Sequence, residues 1–279
     1  SRDHLDYHVD EEAYFQAKLR LFDTVMIPGG TSVLPCASPL TERLASICKG
    51  HGHQILTFGT GGDVDLHWRE PLPAGQRLAI AVEDQTREID LPLIGAFQAD
   101  NVLCAIALIV ASGEPPEAVL AAAEKLTVVT GRLQAVGGGV FVDYAHKPDA
   151  LRAAIAALRP YAKGQLIVLF GCGGDRDRGK RAQMGRIAHE LADRVVVTDD
   201  NPRSEDPAAI RAEILCGCPD AVEIAERRKA IAKAIGWLGS GDLLLIAGKG
   251  HETGQEIASV IHSFDDVAVA RAVLKEGVS

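Results

Sequence analysis

From Val140 to Ala247 short, uninterrupted apolar runs alternate with longer amphipathic stretches, and this alternation limits the fold more than any other feature of the chain. Residues 140–142, 166–170, 194–198 and 243–247 read as strands, and residues 148–158, 180–191, 207–215 and 228–237 as helices. Strands that are apolar along their whole length are buried on both faces, so this half is expected to be a parallel sheet with helices on either side. Glycine-rich or polar sequence follows three of these strands: Gly171-Cys-Gly-Gly174, Asp199-Asp-Asn-Pro-Arg203 and Gly248-Lys-Gly-His-Glu252. In open α/β sheets ligands bind beyond the carboxyl ends of the strands, so a site is expected where these three sequences meet.

The first half is less regular. Residues 11–21, 98–112 and 116–126 read as helices and residues 54–58, 78–82 and 88–91 as strands, with a domain boundary near Thr130. A length of 279 residues fits two domains. The net charge of −9 argues against a general nucleic-acid binder, whose affinity rests on neutralising phosphates. Six cysteines match no zinc spacing, and free thiols suit a reducing cytoplasm. The longest apolar run, near residues 102–111, is too short to span a membrane. The oligomeric state is not legible from the sequence.

Individual sequences leave alternatives open. Gly174 to Arg181 fits G-x-x-x-x-G-K, but Arg181 stands where a phosphate loop has Ser or Thr, and two aspartates inside the loop repel phosphate. Its arginines can instead meet a carboxylate. Asp199 to Arg203 is either an Asx-Pro turn capping the next helix or a zwitterion site, with acids for an ammonium and Arg for a carboxylate. Asp3-His4-Leu-Asp6-Tyr-His8 is a polar capping loop or a set of metal ligands, and Lys18 is a snorkelling surface lysine or a functional one.

Together these segments resemble the Mur ligases of bacterial cell-wall synthesis over almost the whole chain. The resemblance rests on Arg2-Asp-His-Leu-Asp-Tyr-His8 with Ala17-Lys18, Gly95 to Asn101, Gly131-Arg132, Asp143-Tyr-Ala-His146 with Pro148-Asp149, Gly171 to Arg181, Asp200-Asn-Pro-Arg203 and Gly248 to Glu252. It implies a Rossmann-like amino-acid-binding domain at residues 130–279, preceded at residues 1–129 by part of a central ATPase α/β domain. It also implies that the family's phosphate loop and UDP-binding domain would lie before Ser1, so these residues alone are expected not to ligate. The implied reaction is ATP-dependent formation of an acyl phosphate followed by attack of an amine.

Roles follow from the resemblance residue by residue. His4 and a carbamylated Lys18 are expected to hold Mg2+, Asn101 to contact adenine, and Arg132 and Asp143 to contact the phosphate and ribose of ATP. Arg176, Asp200, Asn201, Arg203, Gly248 and Glu252 are expected to hold the amino acid. The Asp-Asn-Pro-Arg sequence points to the branch that adds meso-diaminopimelate to a UDP-N-acetylmuramoyl dipeptide. Gln98 and Lys147 depart from the family pattern, where Asn and Thr are common. The competing readings are a binding module without chemistry, or a ligase of the folylpolyglutamate or cyanophycin type.

Overall fold

The computed structural model describes residues 10–72 and 75–277. They divide into two compact units, one ending at Thr127 and the other running from Val128.

In the first unit α1 (Glu11–Arg20) starts at Asp10, whose carboxylate accepts from the Ala13 amide at 2.8 Å and so satisfies one orphan donor of the first turn. The winding does not stop at Leu21 as expected. It loosens into a π-helical stretch, Leu21–Val25, closed by the Met26 amide donating to the Leu21 carbonyl. There follow β1 (Thr31–Pro35), α2 (Thr41–Gly50), β2 (Gln54–Phe58), β3 (Val64–Leu72), β4 (Gly75–Val82) and β5 (Gln85–Leu91). These strands form one sheet in sequence order, parallel from β1 to β3 and antiparallel from β3 to β5. Two helices follow, α3 (Ala96–Ala111) and α4 (Pro116–Ala123). Leu78, Ile80, Val82, Ile89 and Leu91 pack with Leu103, Ile106 and Leu120 of those helices. Burying each such side chain contributes about 1.5–3 kcal/mol. The helix expected to reach Leu126 ends at Ala123, and the Lys125 and Leu126 amides bond three residues back instead of four.

The second unit contains β6 (Gln134–Gly137), β7 (Val140–Asp143), α5 (Pro148–Leu158), β8 (Leu166–Phe170), α6 (Gly179–Leu191), β9 (Arg194–Val197), α7 (Pro207–Leu215), β10 (Val222–Glu223), α8 (Arg227–Ile235), β11 (Leu243–Ala247), β12 (Gly254–Ile257), β13 (Val260–Ser263) and α9 (Asp266–Glu276). Six strands make a sheet in the order β10-β9-β8-β11-β7-β6, parallel except for the β6–β7 pair at its edge. Strand side chains alternate, so each strand feeds two cores. Val142, Ile167, Leu169, Val196 and Ile246 pack against Ile231, Ala234, Val267 and Ala270 of α8 and α9. Leu166, Val168 and Phe170, equally buried, point to the opposite face. There Leu151, Ile155, Met184, Ile187, Ile210 and Ile214 of α5, α6 and α7 are also buried. The expected two-sided parallel sheet is therefore present. Among the described residues no helix is long and apolar enough to cross a membrane.

One ion pair is sealed inside this unit. Arg227 donates from Nε and Nη2 to the two carboxylate oxygens of Asp266 at 2.8 and 2.7 Å, and neither side chain is exposed. The same guanidinium reaches the carbonyls of Ala247 and Asp199, the residues just before Gly248 and Asp200. A cation buried on α8 thus ties together the carboxyl ends of β9 and β11.

Candidate functional site

Four strands of the second sheet, β7, β8, β9 and β11, end at one cavity of about 480 Å³. Its wall comprises Tyr144, His146 and Lys147 after β7, and Gly171, Cys172, Gly173, Arg176, Asp177 and Lys180 after β8. Asp200, Asn201 and Arg203 follow β9, and Gly248 and Glu252 follow β11. All six residues expected to hold the amino acid, Arg176, Asp200, Asn201, Arg203, Gly248 and Glu252, therefore line a single space. The lining carries both signs of charge, which suits a zwitterionic ligand rather than a simple anion.

Glycine is required at two points of this wall. Gly248 has φ +117°, and a Cβ there would lie 2.6 Å from Asp200 Oδ2. A Cβ on Gly171 would lie 2.3 Å from the Thr198 carbonyl oxygen. The loops after β8, β9 and β11 approach each other too closely for any side chain at these positions.

Lys249, to which the sequence assigned no role, organises the β9 and β11 loops. It is fully buried, and its Nζ donates to Asn201 Oδ1 at 2.9 Å and to Glu252 Oε2 at 3.1 Å. The Asn201 amide in turn donates to the same Glu252 oxygen at 2.9 Å. A buried ammonium with two acceptors fixes the orientation of both site residues. The signal available was a lysine held between two glycines, three residues before an acid.

Arg203 is half-buried, with Nη1 donating to the Gly174 carbonyl at 2.8 Å and Nε paired to Glu256 at 3.1 Å. Arg176 is exposed at the rim, its Nη1 on the Asp175 carbonyl at 3.0 Å. His146 donates from Nδ1 to the Tyr144 carbonyl at 2.7 Å, because a carbonyl can only accept, and Nε2 is left as the lone-pair nitrogen. Burial is the main cause that lowers its pKa, with Lys180 and Lys147 adding to the effect and the Tyr144 carbonyl and Asp200 opposing it. Cys172, on the cavity floor, has its thiol pushed up to about 12 by burial.

Two open readings change in the structure. Arg181 takes no part in a phosphate loop or a ligand site: it is fully buried and bonded to Glu205, just before α7, and to Glu213 within it. The Arg181 hydrogen bond is the main reason Glu205 is held down at about 2. Nor does the Asp199–Arg203 sequence cap the next helix. Asp206 does so, accepting from the Ala208 amide at 3.0 Å, while Asp199 pairs with Arg211.

The ATP-related expectations fall as follows. Arg132 is exposed, with its guanidinium 4.7 Å above the Tyr144 ring. Asp143 is buried, and each of its oxygens accepts a backbone N–H, from Leu133 and from Ala145, both at 2.8 Å. Burial is the largest influence on this carboxyl and raises its pKa against those two bonds and Arg132. Asn101 is exposed on α3 and donates to the buried Gln98 at 3.3 Å. Lys18 is exposed on α1, its Nζ 5.4 Å from the Tyr14 ring centre. His4 lies outside the described residues. Among those residues no group of three or more His, Cys, Asp or Glu is placed to hold a metal ion.

Comparison with known proteins adds the following. The model described as the Mur ligase middle domain matches residues 1–109, and the model described as the Mur ligase glutamate ligase domain matches residues 131–250. The UDP-N-acetylmuramoyl-L-alanyl-D-glutamate–2,6-diaminopimelate ligase of Caulobacter vibrioides is 50% identical over 284 residues, covering 100% of this chain and 58% of that protein. A solved structure of a ligase with the same name is 34% identical with a TM-score of 0.64, covering 100% of this chain and 59% of the other. The folylpolyglutamate synthase of Mycobacterium tuberculosis, solved with ADP and AMPPCP, has a TM-score of 0.73 at 22% identity. It covers 99% of this chain and 62% of its own, a likeness of fold alone. The chain thus spans less than two thirds of the length of these relatives.

Proposed function

The chain belongs to the Mur ligase family, and on that premise we propose that it is the amino-acid-binding domain and part of the ATP domain of a diaminopimelate-adding ligase. The complete enzyme joins meso-diaminopimelate to UDP-N-acetylmuramoyl-L-alanyl-D-glutamate in the cytoplasm, using ATP, during peptidoglycan synthesis. The observation that carries this reading is the single cavity whose wall combines Arg176 and Arg203 with Asp200, Asn201 and Glu252. Diaminopimelate has a carboxylate and an ammonium at each end, and a wall of mixed sign can meet both kinds of group.

A carboxylate does not react with an amine, because oxide is too poor a leaving group. Transfer of the ATP γ-phosphoryl to the acceptor's terminal carboxylate makes an acyl phosphate. The amine nitrogen then bonds to the carbonyl carbon, and the tetrahedral intermediate expels phosphate. The contribution of this domain is to hold the amine donor in a fixed orientation, which is where catalysis by positioning arises. We assign Arg132 to the ATP phosphates and Asn101 to adenine. Asp143, expected as a direct ATP contact, uses both oxygens on backbone amides, so we assign it to holding the turn that carries Arg132.

An unmodified lysine is a cation and cannot ligate a metal, so Lys18 fits a magnesium site only as the carbamate, and its exposure leaves the amine open to CO2. With His4, it would give Mg2+ an oxygen and a nitrogen ligand, and the ion would neutralise charge on the phosphates. Lys18→Ala in the complete enzyme is expected to lower turnover by at least about tenfold, since even groups that merely orient metal ligands are worth that much. Turnover within about twofold of the parent would make Lys18 a surface lysine.

The function itself is tested by ADP release from the complete enzyme. Release should require both the UDP-linked dipeptide and meso-diaminopimelate, and L-lysine should not replace the latter. Equal rates with lysine would refute the substrate assignment.

A further inference from the structure

After Glu252 the chain forms a hairpin that belongs to neither large sheet: β12 pairs with β13 from Gly254↔Ser263 to Ile257↔Val260, and its Ile257 also bridges Arg203 in parallel. Its two turn residues, Ala258 and Ser259, both have positive φ, as a two-residue type I′ hairpin turn requires. The first strand of this hairpin is stitched to the recognition loop after β9 at every residue that lines the cavity. Gln255 Nε2 donates to the Asp200 carbonyl at 2.7 Å. The Glu256 amide donates to Asn201 Oδ1 at 3.0 Å. The Arg203 amide donates to the Glu256 carbonyl at 3.0 Å, and the Ala258 amide to the Arg203 carbonyl at 2.8 Å. Arg203 itself has φ +51°, a left-handed conformation unfavourable to a residue with a Cβ, so these backbone bonds hold it where it would not rest alone.

The side chains continue the pattern. Glu256 Oε2 lies 3.1 Å from Arg203 Nε, and the Gly174 carbonyl takes one N–H of Nη1. A guanidinium has five N–H donors in a fixed plane. Nε faces the Glu256 carboxylate and the Gly174 carbonyl takes one Nη1 proton, which leaves one Nη1 and both Nη2 N–H groups for a ligand. Paired N–H groups of a guanidinium can give a carboxylate two parallel bonds.

We propose that Glu256, carried on the β12–β13 hairpin, is a positioning residue that sets substrate specificity by aiming Arg203 at the second carboxylate of the amino acid. The inference rests on the cavity being the diaminopimelate site. Glu256 does not touch the substrate. It acts by fixing the guanidinium plane, and the hairpin as a whole acts as the template for the Asp-Asn-Pro-Arg loop.

The test is calorimetric titration of the chain with meso-diaminopimelate and with L-lysine, for the parent, Glu256→Ala and Glu256→Gln. Loss of the orienting ion pair should weaken diaminopimelate by about tenfold to a hundredfold in Glu256→Ala. Lysine, which lacks the second carboxylate, should change by less than about threefold, so the ratio of the two affinities falls. Glu256→Gln keeps an oxygen facing Nε while losing the charge, and should recover part of the discrimination. Diaminopimelate affinity within about threefold of the parent in Glu256→Ala would overturn the inference while leaving the site reading intact. Equal losses for both ligands, or no recovery in Glu256→Gln, would also overturn it, since a collapsed loop rather than a misaimed guanidinium would then be the cause. A parent that fails to prefer diaminopimelate would instead bring down the site reading, and the inference with it.

Discussion

Arg203→Ala in the complete ligase should raise the half-saturating concentration of diaminopimelate roughly 30-fold to several thousand-fold, the equivalent of the ~2–5 kcal/mol lost when one partner of a buried charge pair is removed. Diaminopimelate differs from lysine by a carboxylate at the far end of its side chain, and a site that distinguishes them needs a cation there. Arg203 sits at the carboxyl edge of the sheet, half-buried, with Nε and Nη1 already anchored by Glu256 and Gly174. An anchored fork gives up little further freedom when it binds, so truncating it removes nearly the whole interaction. Half-saturation for ATP should stay close to the parent value, because Arg203 lines the amino-acid cavity and has no place in the ATP assignment. Lysine should not become a good substrate, because the variant gains no contact to it. Side-by-side saturation curves decide the matter. A shift below about threefold, or an equal loss for ATP, would reduce Arg203 to a residue that shapes its own loop.

Asp266→Ala should destabilise the second unit by about 3–5 kcal/mol, because it leaves the fully buried Arg227 charge without its counter-ion. That is a large share of the ~5–15 kcal/mol by which domains are ordinarily stable. The site should suffer beyond the loss of stability. Arg227 bonds the carbonyls immediately before Asp200 and Gly248, so a displaced guanidinium lets the two strand ends part. Urea unfolding, followed through Trp237 in a Trp68→Phe background, reads this unit without the tryptophan of the other. A midpoint shift worth less than about 1 kcal/mol would mean that water reaches Arg227 and that the pair is not sealed.

The parallel sheet was legible because burial on both faces leaves a strand no polar positions: Leu166–Phe170 and Leu243–Ala247 declare themselves by composition. In the first unit β3 was missed for the opposite reason. It runs between β2 and β4 but presents much of its length to solvent, so Trp68, Arg69 and Glu70 hide the alternation. The location of the cavity followed from strand ends, and its residues from the resemblance, since Asp200-Asn-Pro-Arg203 alone reads equally well as a turn. What could not be read were partners distant in sequence. Nothing local distinguishes the exposed Arg176, at the cavity rim, from Arg181, which the fold buries between Glu205 and Glu213. Arg227 and Asp266 are 39 residues apart, and Glu256 meets Arg203 through a hairpin whose exposed strands carry little apolar pattern. The helix α9 was not read, although it carried a signal. Asp265 caps it by accepting from Ala268, and Val267 and Ala270 supply a buried face at helical spacing.

We propose that the cavity at the end of β7, β8, β9 and β11 selects an amino acid by its second carboxylate. Direct titration of this chain with meso-diaminopimelate and with L-lysine under one set of conditions tests it without requiring turnover. Two charge-assisted bonds present for one ligand and absent for the other should make diaminopimelate bind at least about tenfold more tightly. Equal affinities for the two amino acids would rule such selection out.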